Sequence, residues 1–458
     1  MNIQLRKTVE DILNTYWFIP VAMVLLAVLL SSIALQLDKI LRLPDNSGLA
    51  LIWGGGAEGA RSVLATIASS MITVAGVTFS IVMVAFSQAS SQLGPRVLRS
   101  FMKDRGNQVV LGTFIATFIY CLLTLRAVRN IGNIQFVPHI AVTIGVGLAL
   151  ASLVVLIYFF HHTAETMQAP YVIASVARDL MASIEKLYPY AIGEGDPKDV
   201  VKLLETGLPE VLQEEPCRVN APNSGYLQII NDDKLIRLAK ENGLILRLNN
   251  RPGHFVVKGN AFIEIFPGNL CDDKLVEEIW RSFSLGRRRS PTQDLEFVIE
   301  QLVEIAIRAL SPSVNDSFTA IACIDWLGAA LARLSEKSFP FPYRFDSEDR
   351  LRVIVKNPLT FRGVVNTAFD LIRQSTEDSA AVKIRLLEAL SSIAIHTQNE
   401  EYLDALKNQA DLIRRSIYHE ISEAEDRDDI EQRYQEVLEI VEGSSKRPSY
   451  LAQQLNGN

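Results

Sequence analysis

The sequence predicts a mostly α-helical protein: a four-helix transmembrane domain followed by a cytoplasmic α+β domain, which holds a small β module and a helical C-terminal bundle. Two observations lead to this prediction. The chain of 458 residues is 48% hydrophobic and yet 21% charged, as expected when apolar residues are unevenly placed. They are concentrated in the first third, where four stretches lack any charged residue. These stretches cover 12–37, 62–95, 106–125 and 130–164.

The charge-free stretches indicate a transmembrane domain over residues 1–164. Each holds about 20 residues or more, the length that crosses a hydrocarbon core of about 30 Å. The four predicted spans cover 17–37, 63–90, 107–126 and 137–160. Proton relays and most ion-coupled pumps use ionisable side chains at bilayer depth. The absence of charge from the spans therefore favours a passive conduit or a signalling scaffold over an active transporter.

Charge separates the two parts of the chain. Residues 1–165 contain 11 Lys and Arg against 7 Asp and Glu, whereas the remainder contains 34 against 45. Since nucleic acid requires a basic surface, the acidic part argues against nucleic-acid binding. Basic residues in the short loops favour, by a narrow margin, N and C termini in the cytoplasm. We expect a multi-pass protein of the cytoplasmic (inner) membrane.

Residues 165–215 indicate a helical connector with a break at Pro170, and then a linker. A small β module is expected over 216–268, with a short inserted helix that stops at Gly243. Its outer pieces resemble the halves of a biotinyl/lipoyl-type barrel-sandwich hybrid. Because the modifiable lysine of that family is missing, we expect no cofactor. The alternative is an ordinary β-meander.

A helical cytoplasmic domain is expected over 269–443, and a flexible tail over 444–458. The sequence "SPTQ" at 290–293 has the Ser-x-x-Gln form of a capping box. Asn315 or Asp316 is suited to cap the helix that follows. The four cysteines have no close spacing, so we expect neither a zinc site nor a disulfide framework.

The second predicted span carries the sharpest functional signal. Seven of its residues recur at alternating intervals of four and three, which places them on one helix face. Six of them are small or hydroxylated. We call this set the polar stripe: Ser69, Thr73, Gly76, Ser80, Met83, Ser87 and Ser90. Such a face either packs against another helix or lines a water-filled path formed by several subunits.

Two further groups lie at the predicted membrane surface. One is the basic loop after the second span, which either anchors the chain to anionic lipid or forms a positive vestibule at a pore mouth. Its members are Arg96, Arg99, Lys103 and Arg105. The other group is His161, His162 and Glu165, which either form a hydrogen-bonded cap or sense pH. No third metal ligand accompanies the histidine–glutamate pairs, so no metal is expected.

Three stretches carry a resemblance to a known family. They are "SSMITVAGVTFSIVMVAFSQASSQLGPRVLRSF", "YFFHHTAETMQ" and "QDLEFVIEQLVEIAIRALSPSVNDSFTA". With the layout of four spans and a soluble domain, they resemble the bacterial predicted membrane proteins catalogued as domain of unknown function 2254. This sequence departs from the family in having Ser317 where a proline is expected. The resemblance implies a membrane location and no established reaction.

No catalytic motif occurs in the sequence. It lacks Gly-x-Ser-x-Gly, His-Glu-x-x-His and a dinucleotide fingerprint, so we do not expect an enzyme. We expect an oligomeric, channel-like conduit for ions or small solutes, lined by the second span and regulated by the cytoplasmic domain. The alternative is a membrane-anchored scaffold or sensor whose helical domain binds a cytoplasmic protein partner. The other expected partners are the lipid membrane and further copies of the chain.

Overall fold

The structure divides into two compact units, Met1–Val172 and Ile173–Asn458. Each unit has its own buried apolar core. It is a computed structural model, and the residues that it describes are 17–41, 56–94, 105–131, 134–166, 168–189, 207–376 and 379–445.

The described residues of the first unit form four long helices. They are α1 (Phe18–Leu41), α2 (Ala57–Leu93), α3 (Arg105–Ala127) and α4 (His139–Thr166). A short antiparallel hairpin of β1 (Arg129–Ile131) and β2 (Ile134–Phe136) joins α3 to α4. Helix α3 packs against the other three helices. Small residues permit this approach: a Cβ added at Gly112 would lie 2.6 Å from the Met23 sulfur on α1.

Helix α5 (Ala169–Leu187) follows α4 after a break. Pro170 lies in its first turn, where a missing N–H costs no intrahelical bond, so the break precedes the proline instead of falling at it. Within the second unit, Glu185 on α5 pairs with Arg333 at 2.6 Å and with Lys337 at 2.7 Å. These ion pairs attach the end of α5 to the helical part of that unit.

The second unit begins with a β region, and its strands form two separate sheets. Of the described strands, five form one sheet in the order β3-β7-β5-β10-β9, and three form the other in the order β6-β4-β8. Strands β5 and β10 run parallel, whereas the other neighbours are antiparallel. The strands are β3 (Cys217–Asn220), β4 (Gly225–Ile230), β5 (Ile245–Leu248), β6 (Phe255–Val256), β7 (Ala261–Phe266), β8 (Phe283–Gly286), β9 (Tyr343–Phe345) and β10 (Leu351–Val355).

Two short helices pack with these sheets: α6 (Asp232–Glu241) and α7 (Asp273–Trp280). Helix α6 is the predicted insert, and Gly243 beyond its end has a φ of +67°, as a helix stop requires. The barrel-sandwich arrangement is not confirmed, because the strands of 216–268 pair into two sheets and recruit partners from outside that range.

The expectation of a purely helical segment over 269–443 is wrong at β8, β9 and β10. Strand β10 has the sequence "LRVIV", and four of its five residues are buried. A strand that pairs in parallel in the interior of a sheet reads as a continuous apolar run rather than as an alternating one. Periodicity alone does not separate such a run from a piece of buried helix.

Six further helices follow in the described part of the second unit. They are α8 (Leu295–Ala309), α9 (Ser317–Ser335), α10 (Phe361–Gln374), α11 (Ala380–Ile395), α12 (Glu400–Glu420) and α13 (Ala424–Ser445). Helices α9 and α11 lie side by side, and a Cβ at Gly328 would come within 3.2 Å of Ala389. Asp325 on α9 also pairs with Arg385 on α11.

Five described helices are long and apolar enough to cross a membrane. Four of them are α1 to α4, which extend the predicted spans by up to six residues at an end. The fifth is α9, in the second unit, where it packs against α8 and α11 and buries Ile324, Leu327 and Leu331 completely. The count of four spans stays a prediction.

The N-cap of α8 is Asp294, so the capping box predicted at 290–293 is wrong. The Asp294 carboxylate accepts a hydrogen bond from the Phe297 N–H at 3.0 Å. Gln293 instead bonds the backbone of Ile230, accepting from its N–H at 2.8 Å and donating to its carbonyl at 3.0 Å. Ser290 and Asp294 both have a side chain suited to cap α8, and Asp294, which is nearer to the helix, caps it.

The expectation that the cysteines form no disulfide is also wrong. Cys217 and Cys271 are joined by a disulfide across 54 residues of sequence. The other two, Cys121 and Cys323, are free thiols buried in the first and the second unit. Since the two joined residues lie far apart in the chain, their spacing gives no signal of the pairing.

Candidate functional site

The polar stripe lies on the outward face of α2. Of its seven residues, Ser90 is half-buried and the others are exposed. A Cβ added at Gly76 would meet no atom within 4 Å. The opposite face is the one that packs within the first unit, through residues again spaced four and three apart. Those residues are Leu64, Ala68, Met71, Ala75, Thr78, Val82 and Ala85.

The stripe hydroxyls bond within their own helix. The Thr73 hydroxyl donates to the Ser69 carbonyl at 2.8 Å, and the Ser80 hydroxyl to the Gly76 carbonyl at 2.9 Å. Each such bond uses the one hydroxyl proton and leaves oxygen lone pairs free to accept from outside. The stripe therefore presents a row of hydrogen-bond acceptors along a helix whose exposed flanks, such as Val77 and Val84, are apolar.

The structure brings the histidine group together at the end of α4. His161 Nε2 lies 3.3 Å from Glu165 Oε1, and both side chains are exposed. The His162 ring stacks on Tyr158, with centroids 5.2 Å apart. Within the described ranges, no three His, Cys, Asp or Glu residues are placed to hold a metal ion.

Of the four residues of the basic loop, the structure describes Arg105. Arg105 is exposed at the first position of α3. The remaining members, Arg96, Arg99 and Lys103, lie outside the described residues.

Asp38 forms a buried polar centre in the first unit. Its carboxylate, only 6% exposed, accepts hydrogen bonds from the N–H of Ile140 at 2.9 Å and of Ala141 at 3.0 Å. These are first-turn amides of α4, which have no intrahelical acceptor. Pro138 precedes the helix and has no side-chain acceptor, so α1 supplies the cap. The Tyr120 hydroxyl completes the centre by donating to the Ala141 carbonyl at 2.9 Å.

The predicted cap at 315–316 is present at the start of α9. Asp316 accepts from the Thr319 N–H at 3.1 Å and from its hydroxyl at 2.6 Å. These bonds, led by the one from the Thr319 hydroxyl, lower the pKa of Asp316. Asn315 is not the cap; it adopts a left-handed φ of 50° that turns the chain into the helix.

The turn between α8 and α9 presents apolar side chains to solvent. Phe318 is 85% exposed and Val314 is 50% exposed. The turn is held by local bonds, since the Asn315 N–H donates to Ser311 at 2.9 Å and the Asp316 N–H to Ala309 at 2.8 Å.

A cluster of charged side chains joins the β region to the helices of the second unit. Arg289 makes a two-pronged pair with Asp294, at 2.7 and 2.9 Å, and also reaches Glu300 at 2.6 Å. Burial acts to lower the pKa of Arg289, but these carboxylates outweigh it and the pKa is raised. Asp294 also requires glycine at position 253, because a Cβ there would lie 2.5 Å from an oxygen of the Asp294 carboxylate.

The same cluster contains a second ion pair and a histidine. Arg251 pairs with Glu296 at 2.6 Å, and the other Glu296 oxygen lies 3.3 Å from the Thr367 hydroxyl on α10. Burial, followed by the charge of Arg251, lowers the pKa of His254. Tyr188 lies at the edge of this cluster, and burial raises its pKa.

Sequence reasoning missed both Asp38 and the charged cluster. Asp38 falls one residue beyond the predicted first span, and its partners lie about 100 residues away. The cluster draws its members from a β-turn, a loop and two helices. The two-residue spacing of Asp294 and Glu296 at a helix start was the one local signal.

Comparison with known proteins identifies the family. A family described as a predicted membrane protein, domain of unknown function 2254, matches residues 13–392. The chain belongs to this family. An uncharacterized protein of Mycobacterium tuberculosis (strain H37Rv) and one of Mycobacterium bovis are each 31% identical to it. Each alignment covers 98% of this chain and 84% of the relative. No solved structure matches.

The Asp38 centre leads to a stability prediction. Asp38→Leu leaves the N–H groups of Ile140 and Ala141 without this acceptor, and each such group costs about 1–3 kcal/mol of unfolding free energy. Asp38→Asn keeps one acceptor oxygen and is expected to cost less. Thermal unfolding of the full chain in detergent measures both, with Lys39→Leu at an exposed neighbouring position as the control. Equal midpoints for Asp38→Leu and Lys39→Leu would contradict the assigned role.

His254 leads to a pH prediction. Because its folded-state pKa is lowered, the unfolded chain takes up a proton first as the pH falls, and the folded state loses stability below about pH 6.5. One such group gives a slope of at most about 1.4 kcal/mol per pH unit. Arg251, Arg289, Asp294 and Glu296 are the charges that act on it. Chemical unfolding from pH 7.5 to pH 5 should show a flatter profile for His254→Asn, and an unchanged slope would refute the assignment.

Proposed function

We propose that several copies of the protein assemble into a channel-like conduit for ions or small solutes, lined by α2 and regulated by the second unit. The observation that supports this proposal most is the outward position of the polar stripe. Six of its seven residues are exposed in the single chain, because the opposite face of α2 makes the contacts with the bundle. Packing among the described helices of one chain therefore does not account for the stripe.

The chemistry of the stripe favours water over lipid as its neighbour. Acyl chains donate no hydrogen bonds, so the acceptor oxygens of Thr73, Ser80 and Ser87 gain nothing from facing them. Water in a central path would use them. Met83 is the large apolar member of the stripe and would provide a hydrophobic constriction, as in pores that gate by dewetting.

Conductance measurements test the conduit. Purified full-length protein in planar bilayers should pass current, and Ser80→Leu or Ser87→Leu should reduce it because each inserts an apolar side chain into the path. Ile81→Leu is the matched control, since it places the same side chain on an exposed but off-stripe position of α2. Silent bilayers from correctly folded protein would rule the conduit out, as would equal losses in all three variants.

A second candidate function is a membrane-anchored scaffold or sensor that binds a protein partner. The exposed tip of Val314, in the turn, and Phe318, at the start of α9, favours it, because an 85% exposed phenylalanine on a fixed helix start is suited to insert into a partner surface.

A photo-crosslinking amino acid at position 318, in the full chain in its native membrane, tests this alternative. We expect a discrete adduct at 318 and none at 395, where an exposed isoleucine on α11 serves as the control. Adducts of equal yield at both positions, or none at 318, would count against a partner at this tip.

A further inference from the structure

The disulfide of the second unit encloses the β module. Cys217 is the first residue of β3, and Cys271 follows the short helical turn Gly268–Leu270 after β7. The Cα atoms lie 6.3 Å apart, within the range of about 4.4–6.8 Å seen for bridged cysteines. The bond thus connects the beginning of the module to its end.

Backbone contacts hold the two cysteines together independently of the bond. Cys217 lies opposite Ile265 in the β3–β7 ladder. Gly268 approaches the preceding segment so closely that a Cβ there would lie 2.5 Å from the Glu215 carbonyl oxygen and 2.8 Å from the Cys217 nitrogen. Two thiols in these positions would remain neighbours after reduction, so the bond could form again.

The exposure of the cysteines separates this pair from the other two. Cys217 and Cys271 are partly exposed, whereas Cys121 and Cys323 are completely buried. Thiol–disulfide exchange requires access to a sulfur. We therefore expect exchange with a redox partner at this pair rather than at the two buried thiols.

We propose that Cys217 and Cys271 form a reversible thiol–disulfide switch that locks β3 into the sheet. On oxidation, one thiolate attacks a disulfide-containing small molecule and releases one of its thiols, and the second thiolate then displaces the other. The protein loses two protons and two electrons and gains one S–S bond. The oxidant accepts both electrons and becomes two thiols.

Strand β3 is the element that the switch controls. It is four residues long and, among the described strands, lies at the sheet edge and pairs with β7 alone. Strand β5, by contrast, pairs on both sides with β7 and β10. Reduction leaves β3 held by a short ladder on one side, and its opening exposes the edge of β7. An exposed strand edge is a site where another strand can add.

Full-length protein in detergent, equilibrated in glutathione buffers from reducing to oxidising, tests the switch. Maleimide labelling after denaturation should find four thiols in the reduced protein and two in the oxidised protein, with the 217–271 crosslink in the peptide map. Amide exchange in β3 should rise about tenfold or more on reduction, while exchange in β5 stays constant. Failure of the bond to form under oxidising buffer, or bonds between chains, would overturn the pairing.

Two variants provide the control. Cys217→Ser and Cys271→Ser each remove one sulfur, so β3 exchange should equal that of the reduced wild-type protein in every buffer. Redox-dependent exchange in β3 of either variant would overturn the lock, and so would equal β3 exchange in oxidised and reduced wild-type protein. If a serine variant does not fold, the comparison of β3 exchange between oxidised and reduced wild-type protein tests the lock by itself.

Discussion

The packing of α2 against its own bundle through a single face is the constraint on which the membrane unit depends. Leu64, Met71 and Val82 are buried at intervals that return to one side of the helix, and this fixes the rotation of α2 about its axis. Once that rotation is fixed, the small and hydroxylated residues face outward. Among the described residues, the stripe is therefore left on the exterior of the helix bundle.

Aspartates that accept backbone N–H groups at helix starts recur in both units. Asp294 and Asp316 cap the helices that they precede, whereas Asp38 reaches α4 from a different helix. The α4 amides depend most on their aspartate, because apolar surroundings provide no water to accept a hydrogen bond from an unpaired amide. Asp294 does more than cap: it also holds Arg289 and excludes a side chain at Gly253, so one carboxylate links the β region to the helices.

Local sequence signals predicted the helices of the first unit and the cap at Asp316, because charge-free length and capping chemistry act over short distances. The features that sequence did not predict depend on distant partners. Strand β10 is a strand because β5, about 100 residues earlier, pairs with it. Asp38 is buried because α4 begins beside it, and Cys271 meets Cys217 through the β3–β7 ladder. The composition indicates a membrane protein, but the spacing of residues along the sequence predicts none of these pairings.

The length of α2 has a mechanical consequence. Its 37 residues form a rod of about 55 Å at 1.5 Å per residue. A hydrocarbon core of about 30 Å encloses only part of such a rod, so roughly 17 residues of continuous helix extend past it. Ser87 and Ser90 lie toward the C-terminal end of this rod. A change in tilt of about 10° would move one end of α2 by about 10 Å relative to the other end. A small rotation of the helix inside the bilayer would therefore produce a large displacement of the part outside it.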